Sequence, residues 1–271
     1  MDARELMQEV YRRGPVLAVT GWLHIASLFV FICLAFFDGR TVTGVNPWIK
    51  PAKFAISIAI YQFTLAWLLH YLSHYRRTAA FIGWGTAFVF VGETICIVSQ
   101  AARGVPSHFN ISTAYDASVF ATMGMLIIFN TLLVVITLLL FFGKTHALPH
   151  AYLWGIRLGI FLFLLASIEG YFMATNMAHT VGLPDGGPGL PIVNWSTRAG
   201  DLRVAHFLGF HALQILPLVG YSFSRWRTAD VRRRPVAYTF ALALVYFAAF
   251  TLLFWQATRG RPLLSLGLIV L

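Results

Sequence analysis

Apolar runs of about 20 residues, each long enough to cross a bilayer as a helix, recur along this chain between short polar connections. Hydrocarbon offers no partner for backbone N–H and C=O groups, so such runs must satisfy them internally as helices. The composition agrees: 58% of the 271 residues are hydrophobic and 11% are charged. The predicted fold is therefore an all-α integral membrane bundle in one transmembrane domain, 1–271. Seven spans are expected at about 16–37, 52–72, 79–101, 116–142, 151–177, 203–223 and 235–256.

The formal net charge of +10 would suggest nucleic acid in a soluble protein, but no basic soluble domain is present to bind it. Lys and Arg gather instead near span ends. With the N-terminus inside, the inner side holds Arg4, Arg12, Arg13, Arg76, Arg77, Lys144, Arg157, Arg225, Arg227, Arg232, Arg233 and Arg234, twelve of the twenty basic residues. An N-in, C-out topology in the inner (cytoplasmic) membrane of the cell is expected, with the lipid bilayer as the main partner. His70, His74, His146 and His150 then fall at the inner interface, where solvated side chains are expected.

Cys33 and Cys96 both lie inside apolar runs, without C-x-x-C spacing, and read as small buried hydrophobes. The N-terminal stretch M-D-A-R-E-L-M-Q-E-V-Y-R-R-G-P carries acidic residues and reads as a short amphipathic lead-in helix. The tail after Arg261-Pro262 is apolar but too short to span, and is expected at the outer interface.

Ionisable groups inside a span are costly and mark functional candidates. Glu93, Glu169 and His211 each fall about 12 Å below an outer span end, taking 1.5 Å of rise per residue. His206 is shallower and His24 is deepest. Gln62 and Asn130 fall nearer mid-membrane. Glu93 precedes Gln100 by seven residues, and Glu169 precedes Asn176 by seven, so each pair shares a helix face. His206 and His211 point about 140° apart, which argues against one ion held by both. Gly209 leaves room there for a flat ligand or a close helix, and Gly155 with Gly159 marks a helix-contact face.

The outer connections are patterned. Lys50, Lys53, Arg103, Arg198 and Arg203 lie in them, with Arg40, Arg259 and Arg261 beside them, against the positive-inside trend. Such cations could hold haem propionates, a lipid phosphate or a small anion. Alternatively they pair with Asp116, Asp185 and Asp201. The D-G-G-P-G run could also place backbone N–H groups around an anion.

The motifs N-P-W-I-K-P-A-K-F, R-G-V-P-S-H-F-N and H-T-V-G-L-P-D-G-G-P-G-L-P, continued by G-D-L-R-V-A-H-F-L-G-F-H-A-L-Q, resemble a widespread group of uncharacterised bacterial multi-pass membrane proteins. The resemblance covers roughly residues 40–220 and implies no activity.

Three functions follow from the residues. The first is a haem b or other metal-binding redox protein, with His211 and His24 as axial ligands and Lys53, Arg103 and Arg203 on the propionates. The second is a non-haem iron, zinc or copper site, or an acid–base enzyme acting on a lipid or quinone. It would use Glu93 and Glu169 as catalytic groups, with His211, His206, His179 and His108 as further ligands. The third is a proton-coupled transporter of a small anion. A homo-oligomer is compatible with each.

Overall fold

A computed structural model describes residues 2–145, 147–226 and 234–264. His146, Arg227, Arg232, Arg233 and the tail from residue 265 lie outside the described residues. The chain gathers into two compact units, Met1–His146 and Ala147–Leu271.

The first unit opens with α1 (Ala3–Arg13), started by a reciprocal cap: Asp2 accepts from the Glu5 N–H and Glu5 accepts from the Asp2 N–H. The Arg12 and Arg13 guanidiniums, bonded to Glu9, hold its carboxyl down at about 2. Gly14 then turns the chain. A Cβ there would lie 2.9 Å from the Ala66 Cβ, so only glycine lets the joint sit this close to the helix that carries Ala66, Ile49–Leu69. Pro15 occupies the first turn of α2 (Pro15–Phe37), where its missing N–H costs nothing.

The helices α3 (Ile49–Leu69) and α4 (Arg76–Arg103) belong to one apolar helical run of 55 residues. A 3-10 segment, His70–Tyr75, interrupts it, with Leu72 out of helical geometry at φ −96°, ψ 32°. Gly104 ends α4 in the left-handed conformation at φ +71°, and Thr113 caps α5 (Ala114–Leu140).

The second unit holds α6 (His150–Asn176), a two-residue ladder of β1 (Thr180–Val181) with β2 (Gly200–Asp201), then α7 (Leu202–Arg225) and α8 (Pro235–Thr258). Glycines let α6 and α7 approach closely. A Cβ on Gly155 would lie 2.4 Å from the Leu216 carbonyl, and one on Gly159 would lie 2.7 Å from that of Ala212. Gly209 serves the same purpose, facing Ala166 and Phe250, so the space beside it is taken by close helices within this unit.

Among the described residues six helical segments are long and apolar enough to cross a membrane, the 55-residue run among them, and each expected span lies on helix over most of its length. Large side chains stand on their open faces: Trp84 is 67% exposed, Phe88 68% and Leu244 68%. In water such faces would aggregate; against acyl chains they are satisfied. The protein is an all-helical multi-pass membrane protein in contact with the lipid bilayer.

Candidate functional site

In the second unit the packed face of α7 carries small residues at helical spacing, Ala205, Gly209, Ala212 and Gly220, all buried, with buried Leu216 among them. His206 stands at the edge of that stripe. Its Nδ1 lies 2.8 Å from Glu169 Oε2 and 2.9 Å from the Ala166 carbonyl on α6. A carbonyl can only accept, so Nδ1 carries the hydrogen and shares it between the two oxygens. Glu169 is 4% exposed, and its Oε1 is buried without a hydrogen-bond partner. Gly170 makes room for the ring, since a Cβ there would meet His206 Cε1 at 2.9 Å. Phe210 covers the imidazole, with ring centres 4.1 Å apart.

His211, expected level with Glu169, lies on a different face of α7 from His206. It is partly exposed beside Phe207, Ile215 and Leu218, which are exposed. Its Nδ1 donates to the Phe207 carbonyl at 2.8 Å, and Nε2 has no hydrogen-bond partner among the described residues. The partner of Glu169 is thus His206, because the small-residue stripe, rather than depth from the helix end, decides which side chains meet.

The loop leading to α7 is held by two aspartates. Asp201 caps the helix through the Arg203 N–H, accepts from the Ser196 N–H, and binds the Arg203 guanidinium. That guanidinium also donates to the Asn194 carbonyl. Asp185 accepts from the N–H groups of His179 and Thr180 and from the Thr180 hydroxyl, and faces His179 Nδ1 at 2.6 Å. Burial works to raise the Asp185 carboxyl, but the bonds and charge of His179, with Thr180, hold it well below the usual range. His179 and Arg203 are therefore engaged in shaping the loop.

In the first unit Glu93 is 1% exposed on α4, with Oε1 buried and unpartnered. Lys50, near the start of α3, is the cation whose charge reaches it. Lys53, one turn on, is partly buried. Gln62 is fully buried with neither amide atom bonded, while Tyr61 beside it donates to Asn130 at 3.3 Å. His24 has both ring nitrogens engaged: Nδ1 with the Thr20 carbonyl at 2.7 Å and Nε2 with the Thr94 hydroxyl at 3.0 Å. Such a ring ties α2 to α4 through the Thr94 hydroxyl, which also donates to the Phe90 carbonyl. Arg103 binds Asp116 and Gln100, and Gln100 also donates to Asp116 at 2.9 Å. His108 sits among Phe54, Phe109 and Phe120, with Nδ1 3.1 Å from the Ser107 hydroxyl.

Arg103 and Arg203 therefore neutralise aspartates of their own loops, as the pairing alternative expects. The seven-residue parallel does not hold in space, because Gln100 is fully buried whereas Asn176 is exposed and bonds the Thr180 carbonyl. His70, His74 and His150 are exposed, as expected; Cys33, expected buried, is instead exposed on the outer face of α2, and Cys96 is only partly buried. Among the described residues no three His, Cys, Asp or Glu side chains cluster as metal ligands would. Periodicity pointed to Glu169 and Glu93; the Glu169–His206 pair and the bare Gln62 needed the packing. No protein family, curated protein or solved structure matches the chain.

Proposed function

We propose that this protein spans the inner membrane seven times, N-in and C-out, and carries a small anion coupled to protons taken up at Glu169 and His206. The single observation behind the reading is the Glu169–His206 contact. A carboxylate inside a span needs a cation or a proton, and this one has an imidazole on one oxygen and nothing on the other. The pair can hold a proton on either member, and the bare Oε1 is where it would enter or leave. Counting seven crossings treats α3 and α4 as separate spans of about 31 and 42 Å at 1.5 Å per residue, each sufficient for a bilayer. The arginine-rich ends near Arg12, Arg13, Arg76 and Arg77 favour the inside for the N-terminal side. The exposed Arg198, in the loop before α7, is suited to meet an incoming anion.

Purified protein in vesicles loaded with a pH-sensitive dye tests this, with acetate, lactate and inorganic phosphate as the anions. Anion-dependent proton entry that disappears in Glu169→Gln and His206→Gln supports the reading. Entry unchanged in both variants would sink it.

His211 favours a second reading. An imidazole whose Nδ1 donates to a carbonyl while Nε2 is unbonded is oriented as haem and metal ligands are. An absorption spectrum decides: a Soret band in the wild type, lost in His211→Ala, would make haem b binding the better account.

A further inference from the structure

A groove of about 880 Å³ runs through the first unit where α1 ends, α2 and α4 begin, and α3 gives way to the 3-10 segment. Its two ends differ in chemistry. Arg12, Arg13, Arg76 and Ser73 line one part; Val16, Val19, Ala80 and Trp84 line the other. The lining is three arginines against a single neighbouring acid, Glu9, which both Arg12 and Arg13 bind, leaving a net of two positive charges. Arg76 is exposed and makes no ion pair among the described residues. Arg13 is the fixed member. Its side chain is only 13% exposed, with its guanidinium 3.7 Å from the centre of the Trp67 ring.

Two helix N-termini open at this groove, those of α2 at Pro15 and α4 at Arg76, and neither has a side-chain cap. Their positive ends add to the arginine charge. The apolar part continues onto surface that faces hydrocarbon, since Trp84 is two-thirds exposed and Val19 is exposed on α2. A free phosphate would use the first part alone. A peptide would leave an apolar channel open to acyl chains. Only an amphiphile with an anionic head satisfies both.

We propose that this groove binds one anionic phospholipid, its phosphate held by Arg12 and Arg76 and one acyl chain lying along Val16, Val19, Ala80 and Trp84. The site is separate from Glu169 and His206, so it stands or falls independently of the transport reading. It places an anionic lipid on the joint between the lead-in helix and the first two hairpin helices, where occupancy would brace α1 against α3.

Native mass spectrometry of the full chain, delipidated in detergent, tests it against dioleoyl phosphatidylglycerol, dioleoyl phosphatidylcholine and inorganic phosphate. One equivalent of the glycerol lipid is expected to bind about 25-fold tighter than the choline lipid, given roughly fivefold for each of the two arginines near its headgroup. Arg76→Gln should lose about fivefold, while Arg77→Gln, one residue on and outside the lining, should stay within about twofold. Ala80→Trp, which plugs the apolar part, should weaken the lipid and leave the arginines intact. Circular dichroism and a monodisperse elution profile establish that each variant is folded. Equal binding of the choline lipid, equal losses in Arg76→Gln and Arg77→Gln, or displacement by inorganic phosphate at lipid-like concentration would each overturn the proposal.

Discussion

Glu93 and Glu169 are both buried in long apolar helices, yet the two units house them differently. Glu169 has an imidazole on one oxygen and a neighbouring glycine that makes space for it. Glu93 has no bonded imidazole; Lys50 reaches it through space only. The same side chain therefore plays different parts. In the second unit it is half of a hydrogen-bonded carboxyl–imidazole pair, whereas in the first it is a buried acid whose Oε1 has no hydrogen-bond partner. An isolated buried acid is most easily tolerated as the neutral form, and a paired one is poised to change.

The sharpest way to break this contrast is activity. Glu169→Gln keeps the shape and removes the titrating group, so proton-coupled uptake should fall on the order of 100-fold, as when a positioned acid–base group is lost. Glu93→Gln should reduce it by no more than about threefold. Rates in proteoliposomes measure both. Equal losses would mean that the two acids serve one path.

Stability should separate them by sign. Glu169→Leu removes the acidic partner of His206, whose Nδ1 keeps only the Ala166 carbonyl, and should destabilise by about 1–2 kcal/mol. Glu93→Leu replaces an unpaired carboxyl with hydrocarbon and should be neutral, or stabilising by up to about 1 kcal/mol. Thermal unfolding in detergent reads both changes. A loss in Glu93→Leu matching that in Glu169→Leu would show an unseen partner for Glu93.

The adjacent glycines sharpen the comparison further. In Gly170→Ala the new methyl would meet His206 Cε1 at 2.9 Å, so the ring must shift away from Glu169. In Gly92→Ala it would meet Leu126 Cδ1, also at 2.9 Å, the tip of a flexible side chain that can turn away. Gly170→Ala should cost about 1–2 kcal/mol and about tenfold in uptake, while Gly92→Ala should cost under about 1 kcal/mol. Thermal unfolding and uptake measured on the same preparations check both.

How much of this the residues announce on their own depends on the kind of contact. Apolar run length places the helices, because backbone groups in hydrocarbon have no alternative to helix. Glu93 and Glu169 stand out for the same reason. The break at Leu72 is harder to place, since H-Y-L-S-H-Y holds neither proline nor glycine. Rise alone places His211 level with Glu169, but the side chain that meets Glu169 is His206, because rise ignores which face of α7 packs. The stripe of Ala205, Gly209, Ala212 and Gly220 was the readable cue, as small residues mark where helices touch. His24 shows the opposite limit. His24 and His211 each turn Nδ1 to the carbonyl four residues back, and only the Thr94 hydroxyl at Nε2 of His24 sets their surroundings apart.

The smallest effect concerns the loops rather than the carboxyls inside the spans. Asp185 gathers His179 and Thr180, while Asp38 in the first unit gathers Arg40 and the Trp48 indole. Both carboxyls are held below their usual range: Asp38 by Arg40 and Trp48, Asp185 because His179 and Thr180 outweigh its burial. A depressed folded-state value means the stabilisation is complete above the ordinary aspartate value near 4 and is lost as the pH falls through the folded value. The loop 178–201 should therefore stay ordered through the neutral range and loosen only in strong acid. Hydrogen exchange at the N–H groups of His179 and Thr180, both bonded to Asp185, measures this directly. In Asp185→Asn the acid-induced rise in exchange should disappear, and protection at neutral pH should drop by roughly tenfold, the value of one charge-assisted hydrogen bond. Arg40 is 49% exposed whereas His179 is 22% exposed, so solvent screens the Asp38 pair more strongly. Asp38→Asn should accordingly change exchange in its own loop by less than Asp185→Asn changes it in the second unit.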